Sequence, residues 1–278
     1  MKISGISRIV TTFISAVLLL TACGTVSSSK PTSNSPIDTL LNSPSAPGIT
    51  DSSILLGSKQ TMSGPAAPGN SEIAPAIEAF FEYANALGGV NGRKVSLYYQ
   101  DDQYNPATTV KVVKQLVQKY NVFALVAGFE TTSSQNVEPY LTQRQIPDLF
   151  VGSGCNCWSS PSSSSLTFGF GPSYATQGLI IGKIIDKKFP NAKVGVIYQD
   201  NSFGTAGLLG LRQGLGSNRI VATQSYDTSS LSSGLGEQIQ ALKNAGVNLI
   251  VSFSIPEATA LELIAQNSLG VKITTFTS

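Results

Sequence analysis

A regular alternation of strand-like and helix-like stretches is the feature that most constrains how this chain folds. The clearest unit opens with the apolar run 54–57, which is typical of a buried strand, and a polar loop follows. Apolar residues at helical spacing over 73–87 then predict a helix that ends at the glycine pair 88–89. Residues 94–99 resume as a strand. Such strand–loop–helix–strand units build parallel sheets, so the sequence predicts an α/β fold.

The same rhythm repeats to the end of the chain and divides it into two lobes. We expect doubly wound parallel sheets in a first lobe over 51–172 and a second over 173–278. The second series stops after a strand at 273–276, so we expect an incomplete second lobe and a chain that is a fragment or a truncated product. Apolar residues at 249–251, 273 and 276 would then be exposed. The predicted buried stripes are Ile73, Ile77, Phe80, Phe81, Ala84 and Leu87 in one helix and Val110, Val113, Leu116, Val117 and Tyr120 in the next, which begins at Asn105-Pro106.

Three polar loops of the first lobe are candidates for a binding site. In doubly wound sheets, ligands lie at the loops that follow the carboxyl ends of the strands. The loop Ser63-Gly64-Pro65 follows the first strand, and the loops that carry Thr132 and Ser153 follow two further strands of the same predicted sheet. We therefore predict that Ser63, Thr132 and Ser153 line one cleft.

The composition removes several classes of function. Charged residues make up 12% of the chain, the formal net charge is +2, and the lysines and arginines are scattered, so no nucleic-acid surface is predicted. Histidine is absent, which excludes Ser–His–Asp and Cys–His catalysis and the commonest zinc ligand sets. No phosphate-binding GxxxxGK[ST] loop occurs, and the glycines at 152–154 and 169–171 lack the third glycine of a dinucleotide fingerprint. No cofactor is expected.

The amino terminus has the features of an export signal. Lys2 and Arg8 precede a mostly apolar run at 9–20, which is too short to span a bilayer comfortably. Leu20-Thr21-Ala22-Cys23 resembles a bacterial lipobox, which predicts a signal peptide at 1–22 and a lipid on Cys23 that anchors the protein to the membrane. The alternative is an ordinary secretory signal with a chance cysteine. Residues 23–50 are dominated by Ser, Thr, Pro, Asn and Gly, which predicts an unstructured tether outside the cytoplasm.

Several short motifs, taken in order, resemble one family. They are Met62-Ser63-Gly64-Pro65, the turn at 88–93, Asp101-Asp102 before Asn105-Pro106, Ile146-Pro147 with Phe150-Val151, and the segment 200–204. Together they look like the substrate-binding proteins of ABC transporters of the leucine/isoleucine/valine-binding type, which have the type I periplasmic-binding fold. The resemblance runs from about Asp51 to the last residue. It implies two lobes around a small-molecule ligand and an ABC permease as partner.

The resemblance also implies which residues contact the ligand. In relatives, hydroxyl and backbone N–H groups at the starts of loops and helices meet the ligand's carboxylate. The matching positions here are Thr131, Thr132 and Ser133 at a predicted helix start and Ser153 and Cys155 in the next loop. Unpaired N–H groups and the helix dipole favour an anion at such a helix start. The alternative is that these residues only cap the helix, since Thr132 and Gln135 have capping-box spacing.

The chain departs from the family pattern at some positions. Pro68-Gly69 stands where branched-chain binders carry an aromatic residue. Glu130 is a charge within the presumed site loop, which would either pair with a ligand amine or point to water. Phe203 lies where relatives place an aromatic ring over the ligand, and Trp158 would stack on a ligand or pack against the lobe. The acidic residue that relatives use for the ligand's ammonium group would fall beyond Ser278.

Cys155 and Cys157 are separated by one residue. A bridge across one residue makes a small ring, so we expect free thiols although the compartment permits disulfides. A metal site is not expected.

These observations favour a lipid-anchored solute-binding protein that delivers an amino acid or amide-like molecule to an ABC importer. A sensing or envelope-regulatory module of the same fold is the alternative, which neighbouring permease and ATPase genes would distinguish. An extracytoplasmic enzyme would need a catalytic constellation, and the sequence offers none.

Overall fold

The computed structural model describes residues 46–159 and 166–278, in which nine strands and seven α-helices alternate. In chain order they are β1 (Ser53–Gln60), α1 (Ile73–Ala86), β2 (Lys94–Asp101), α2 (Pro106–Gln118), β3 (Ala124–Val126), α3 (Thr131–Arg144), β4 (Asp148–Val151), β5 (Thr167–Gly169), α4 (Tyr174–Lys188), β6 (Val194–Gln199), α5 (Ser202–Leu215), β7 (Ile220–Tyr226), α6 (Gly236–Asn244), β8 (Leu249–Phe253), α7 (Pro256–Ser268) and β9 (Thr274–Thr277). Short 3-10 helices cover Asn156–Ser159, Ser217–Arg219 and Thr228–Ser233. The predicted signal peptide at 1–22 and most of the tether lie outside the described residues.

Two parallel sheets organise the fold. The first has the strand order β2-β1-β3-β4-β5 and the second has the order β7-β6-β8-β9. Every ladder in both sheets is parallel. The strand order reverses beside β1 and again beside β6, so each sheet is doubly wound and opens a crevice at the carboxyl ends of those strands. The predicted α/β architecture of two doubly wound lobes is therefore confirmed.

The second sheet is buried on both faces around β8, where all five residues are buried. Ile250 contributes to an apolar cluster on one face, while Leu249 and Val251 contribute to a cluster on the other. The expectation that residues 249–251 carry exposed apolar surface is therefore wrong, because helices cover both faces of this strand. Phe276 of β9 is half-buried and packs edge-on against Phe189, with 5.6 Å between ring centroids.

The two predicted helix stripes had different outcomes. In α2, Val113 and Leu116 are buried and the other three predicted residues pack against the same cluster, as expected. In α1 only Ala74 is buried, and Phe80 and Leu87 are 63% and 72% exposed. The prediction was wrong there because α1 contacts the edge strand β2 and its neighbour β1, so the sheet beneath it is narrow.

The folded region begins earlier than the sequence indicated. Ile49 forms an antiparallel bridge with Ile54, and the carbonyl oxygen of Gly48 accepts a hydrogen bond of 2.7 Å from the N–H of Leu55. Gly48 has a φ of +68°, and a Cβ there would lie 2.3 Å from the backbone nitrogen of Phe123. Residues 46–50 are thus packed against the first lobe, and the expected tether does not extend to residue 50.

Among the described residues, no helix has the combination of length and apolarity that is needed to cross a bilayer.

Candidate functional site

A cavity of about 290 Å³ lies between loops of the two lobes. From the first lobe it is lined by Asn70, Tyr104, Phe129, Glu130 and Thr131, and from the second by Tyr174, Gln177, Phe203, Ser254, Ile255, Pro256 and Ser278. Most of these residues follow the carboxyl ends of strands, where doubly wound sheets place ligands. The volume is near the lower end of the range for small-molecule sites, roughly 300–1,000 Å³.

Four aromatic rings form much of the cavity wall. Tyr104 and Phe129 make a tilted pair with 6.2 Å between centroids, and Tyr174 and Phe203 make a closer pair at 4.6 Å. The Tyr104 hydroxyl donates a hydrogen bond of 3.2 Å to Oε1 of Gln199, which joins the two lobes beside the cavity. Burial, followed by the nearby negative charge of Glu130, raises the pKa of Tyr104 above its ordinary value. These four rings therefore present apolar surface to the cavity, and the Tyr104 hydroxyl stays uncharged.

Glu130 caps the helix at the centre of the predicted site. Its Oε1 accepts from the N–H of Thr132 at 2.9 Å, and its Oε2 accepts from the N–H of Ser133. The side chain is buried, and the residue has a φ of +82°, which is unusual for a residue with a Cβ. The expectation that Glu130 points to water is wrong, because the unpaired N–H groups of α3 hold its carboxylate. The predicted capping box of Thr132 with Gln135 is likewise replaced by this cap.

A buried lysine, Lys59, holds the loop that carries Phe129 and Glu130. Lys59 is fully buried and donates a hydrogen bond of 2.6 Å to the carbonyl oxygen of Phe129. Burial lowers the pKa of Lys59, and the negative charges of Asp148, Asp102 and Glu130 oppose that shift. Burial also raises the pKa of Asp148 to about 6, against the opposing charge of Lys59. One cation therefore has three carboxyl groups as electrostatic neighbours, and one of these, Glu130, lines the cavity.

The second lobe places a hydroxyl and a buried carboxyl group at the opposite wall. Ser254 donates a hydrogen bond of 2.7 Å to Oε1 of the buried Glu262, and Ser252 lies 2.7 Å from the same oxygen. Burial raises the pKa of Glu262. The Ser254 oxygen also accepts from the Ser252 hydroxyl at 2.8 Å and contacts the Tyr226 hydroxyl, so its hydrogen bonds are made within the second lobe.

The predicted contacts of the first loop are used within the protein. The Ser63 hydroxyl donates to Asp101, which also accepts from the backbone N–H groups of Met62, Ser63 and Gln103. Partial burial raises the pKa of Asp101, but the Ser63 hydroxyl and these N–H groups lower it more. Ser63 is exposed and Pro65 is half-buried, and neither lines the cavity. This network fixes the loop that leads to Asn70.

A smaller cavity of about 130 Å³ adjoins the site loop and is lined by Ser153, Cys155 and Trp158, among others. The Ser153 hydroxyl is 2.6 Å from that of Thr131, so the two cavities share a hydrogen bond. Trp158 is buried, with its Cδ1 3.0 Å from where a Cβ on Gly169 would lie. Trp158 therefore packs against the first lobe in this structure.

Cys155 and Cys157 are joined by a disulfide bond, so the expectation of free thiols is wrong. The 3-10 helix that starts at Asn156 turns the chain sharply, and the two Cα atoms are 5.1 Å apart, within the usual range for disulfides. The Gln135 amide nitrogen contacts both sulfur atoms, at 3.8 and 3.6 Å. This small ring holds the loop after Ser153 against α3.

The structure brings only part of the predicted set together. Thr131 and Phe203 line the large cavity, and Ser153, Cys155 and Trp158 line the adjoining one. Ser63, Pro65, Thr132 and Ser133 line neither, so ligand contact by these four residues stays a prediction. The three predicted loops do leave the same edge of the first sheet, because β1, β3 and β4 are parallel neighbours.

Sequence reasoning missed several lining residues. Tyr104, Tyr174 and Ser254 each follow a strand at the ligand-binding edge, and a position after a strand is a usable signal for a site residue. Asn70 lies further from its strand, at the far end of the loop between β1 and α1. Within the described ranges, no three acidic or cysteine side chains come together in a way that could hold a metal ion.

Comparisons with known proteins agree with this architecture. A sequence profile described as periplasmic binding protein matches residues 53–277. The Leu/Ile/Val-binding protein homolog 7 of Brucella abortus (strain 2308) is 26% identical over 243 residues, which cover 84% of this chain and 59% of that protein. The chain thus spans about 59% of the length of that curated relative.

Two solved structures share the fold. A fatty acid ABC transporter substrate-binding protein from Thermomonospora curvata matches with a TM-score of 0.72 at 21% identity, over 84% of this chain and 59% of that one. A branched-chain amino acid ABC transporter protein from Thermus thermophilus with bound valine matches with a TM-score of 0.71 at 21% identity, over 82% and 59%. The profile match over most of the chain and the two doubly wound sheets lead to one conclusion: this chain belongs to the periplasmic binding protein family.

Proposed function

We propose that this protein is a lipid-anchored solute-binding protein on the outer face of the cell membrane that captures a small organic molecule, of amino-acid or amide type, for an ABC importer. The observation that carries the proposal is the cavity of about 290 Å³ between the two lobes, with an aromatic pair from each side. Membership of a periplasmic binding protein family supports a location outside the cytoplasm. The valine in the Thermus thermophilus structure supports a ligand of this size in the fold.

The geometry favours binding rather than catalysis. Half of the residues that line the cavity are aromatic or amide-bearing, and the carboxylate of Glu130 accepts hydrogen bonds from two N–H groups of α3. Binding without turnover needs a concave pocket with apolar surface and a few polar groups, which this cavity supplies. Thr131 and Phe203 are the predicted site residues that we assign to direct contact.

A thermal-shift screen of amino acids and amides on the full 278-residue chain tests the binding function. A ligand at 100 times its Kd stabilises the folded state by about 2.7 kcal/mol, so a hit raises Tm measurably. Phe203→Ala should abolish the shift, while Phe80→Ala is the matched control because Phe80 is 63% exposed on α1. A well-folded protein that shows no shift across the screen would contradict the proposal.

The anchor is tested separately, because Cys23 lies outside the described residues. Cys23→Ala should release the protein from membranes or leave the signal uncleaved. Unchanged membrane fractionation, with a mature amino terminus elsewhere than residue 23, would show that the lipid assignment is wrong.

A further inference from the structure

Four polar side chains of the cavity wall each use a donor hydrogen within the protein. One amide hydrogen of Asn70 is bonded to the carbonyl oxygen of Ala66 at 2.7 Å, and one of Gln177 is bonded to that of Pro172 at 3.2 Å. The hydroxyl hydrogens of Tyr104 and Ser254 go to Gln199 and Glu262. The side-chain oxygen atoms of Asn70, Gln177 and Tyr104 keep acceptor capacity. The wall therefore offers acceptors to a ligand that brings its own donors.

The charged groups at the cavity wall and near it are predominantly negative. Glu130 is the one charged side chain among the described residues that line the cavity. Behind it, Lys59 faces the carboxyl groups of Asp102 and Asp148 as well as Glu130, so acids outnumber the cation by three to one. Its ammonium group donates to the Phe129 carbonyl and is fully buried. A positive charge entering the cavity would be attracted, and a negative charge would be repelled.

The place where an anionic ligand group could bind is already filled. A helix amino terminus binds anions through its free N–H groups, and here α3 presents that terminus to the cavity wall. The two oxygens of Glu130 occupy the N–H groups of Thr132 and Ser133. A ligand carboxylate would have to displace a buried, covalently tethered carboxylate from them. The aromatic rings of Tyr104, Phe129, Tyr174 and Phe203 are instead suited to a cation with an apolar body.

We propose that the cavity selects an amine-bearing organic cation with a small apolar body, and discriminates against ligands with a free carboxylate. The inference rests on the proposed binding function and narrows its ligand class. In this arrangement the ammonium group is held by Glu130 and by the acceptor oxygens of the wall, and the apolar body packs on the aromatic rings.

Calorimetric titration of the full chain with four probes of similar carbon skeleton tests the inference. The probes are 3-methylbutylamine, leucinamide, leucine and 4-methylpentanoate. The first two should bind at least about tenfold more tightly than the last, because a charge-assisted hydrogen bond is gained in one case and a like charge is met in the other. Glu130→Gln, which keeps an oxygen for the cap, should weaken amine binding by about tenfold. Glu82→Gln is the matched control, since Glu82 is exposed on α1.

The outcomes separate this inference from the proposed function. Leucine or 4-methylpentanoate binding as tightly as the amines would overturn the inference and leave the binding function standing. Amine binding that Glu130→Gln does not weaken would also overturn it. Binding of none of the four probes, with a hit of another class in the thermal screen, counts against the inference alone. No hit in either experiment counts against both.

Discussion

Lys59 and Asp148 are residues whose burial decides how stability responds to pH and substitution. Both side chains are fully buried in the first sheet, and neither carboxyl oxygen of Asp148 has a hydrogen-bond partner in the structure. Desolvation disfavours the charged form of each residue, and their opposite charges partly compensate for it. The pair adjoins the loop that carries Phe129 and Glu130, so its state also bears on the cavity.

Because of Asp148, the free energy of unfolding should fall as the pH rises from about 4 to about 6. Its pKa is raised from 3.8 to about 6 in the folded protein, so the folded state holds the proton over this window while the unfolded state has lost it. Stability is then highest below pH 3.8 for this group and falls until about pH 6, by on the order of 3 kcal/mol. Asp148→Asn should remove this slope. The measurement is urea unfolding of both proteins from pH 4 to 7, and parallel pH profiles would contradict the assignment.

Replacing Lys59 tests its role as the compensating cation. Lys59→Met removes the donor to the Phe129 carbonyl and leaves the buried carboxyl groups without a positive neighbour. We expect the free energy of unfolding to fall by about 3–5 kcal/mol at pH 7. Adding Asp148→Asn should restore part of that loss, because a buried negative charge is removed. The control is Lys94→Met, since Lys94 is exposed at the start of β2. Equal stability of the single and double variants would refute the coupling.

At the scale of elements, the contact between α4 and α5 positions two aromatic residues of the cavity. Tyr174 begins α4, and Phe203 lies in the first turn of α5. The helices approach through glycine, since a Cβ on Gly210 would lie 2.0 Å from the carbonyl oxygen of Ala175, and one on Gly178 would lie 2.2 Å from that of Gly207. Close backbone packing thus sets the 4.6 Å separation of the Tyr174 and Phe203 rings.

A methyl group at this contact should separate the helices. Gly210→Ala is expected to lower the free energy of unfolding by about 1–3 kcal/mol, as overpacking does, although alanine favours an isolated helix. Gly236→Ala is the matched control, because a Cβ at the start of α6 would meet nothing within 4 Å beyond its chain neighbours and its own helix backbone. That control should be neutral or slightly stabilising. Thermal unfolding of both variants gives the comparison, and a Gly210→Ala protein as stable as the control would contradict it.

The sequence predicted the positions of helices and strands better than it predicted which side chains are buried. Strand and helix positions follow from local periodicity, so α1, β2 and the start of α2 at Asn105-Pro106 were predicted closely. The exposure of Phe80 and the burial of Glu130 depend on partners far away in the chain, which periodicity does not report. The cavity lies at the edge of the sheet where the carboxyl ends of the strands meet, which is the edge that the sequence indicated for the candidate loops. Which side chains enter it was set by hydrogen bonds such as Ser63 with Asp101, which no spacing revealed.

At the scale of the whole molecule, the first-lobe loops are built into the packing of the second lobe. Ala66 is fully buried in the apolar cluster that contains Ile197 and Tyr226, and Tyr104 and Phe129 pack against it. The Tyr104 hydroxyl bond to Gln199 crosses between the lobes at the same place. The cavity walls are therefore held by contacts that involve both lobes. A substitution in one wall should consequently alter the local stability of the other wall.

Tyr104→Phe tests that coupling. The change removes the hydroxyl and leaves Oε1 of Gln199 without this donor, at a residue that is only 5% exposed. An unsatisfied buried acceptor costs about 1–3 kcal/mol, so the free energy of unfolding should fall by about that amount. Tyr83→Phe is the control, because Tyr83 is 63% exposed on α1, and it should change stability by less than about 0.5 kcal/mol. Hydrogen exchange should quicken both at the loop around Tyr104 and at the end of β6, since the lost bond joined the two. Faster exchange in the first lobe alone would show that the bond does not couple the lobes, and the cavity would then be formed by two independently stable walls.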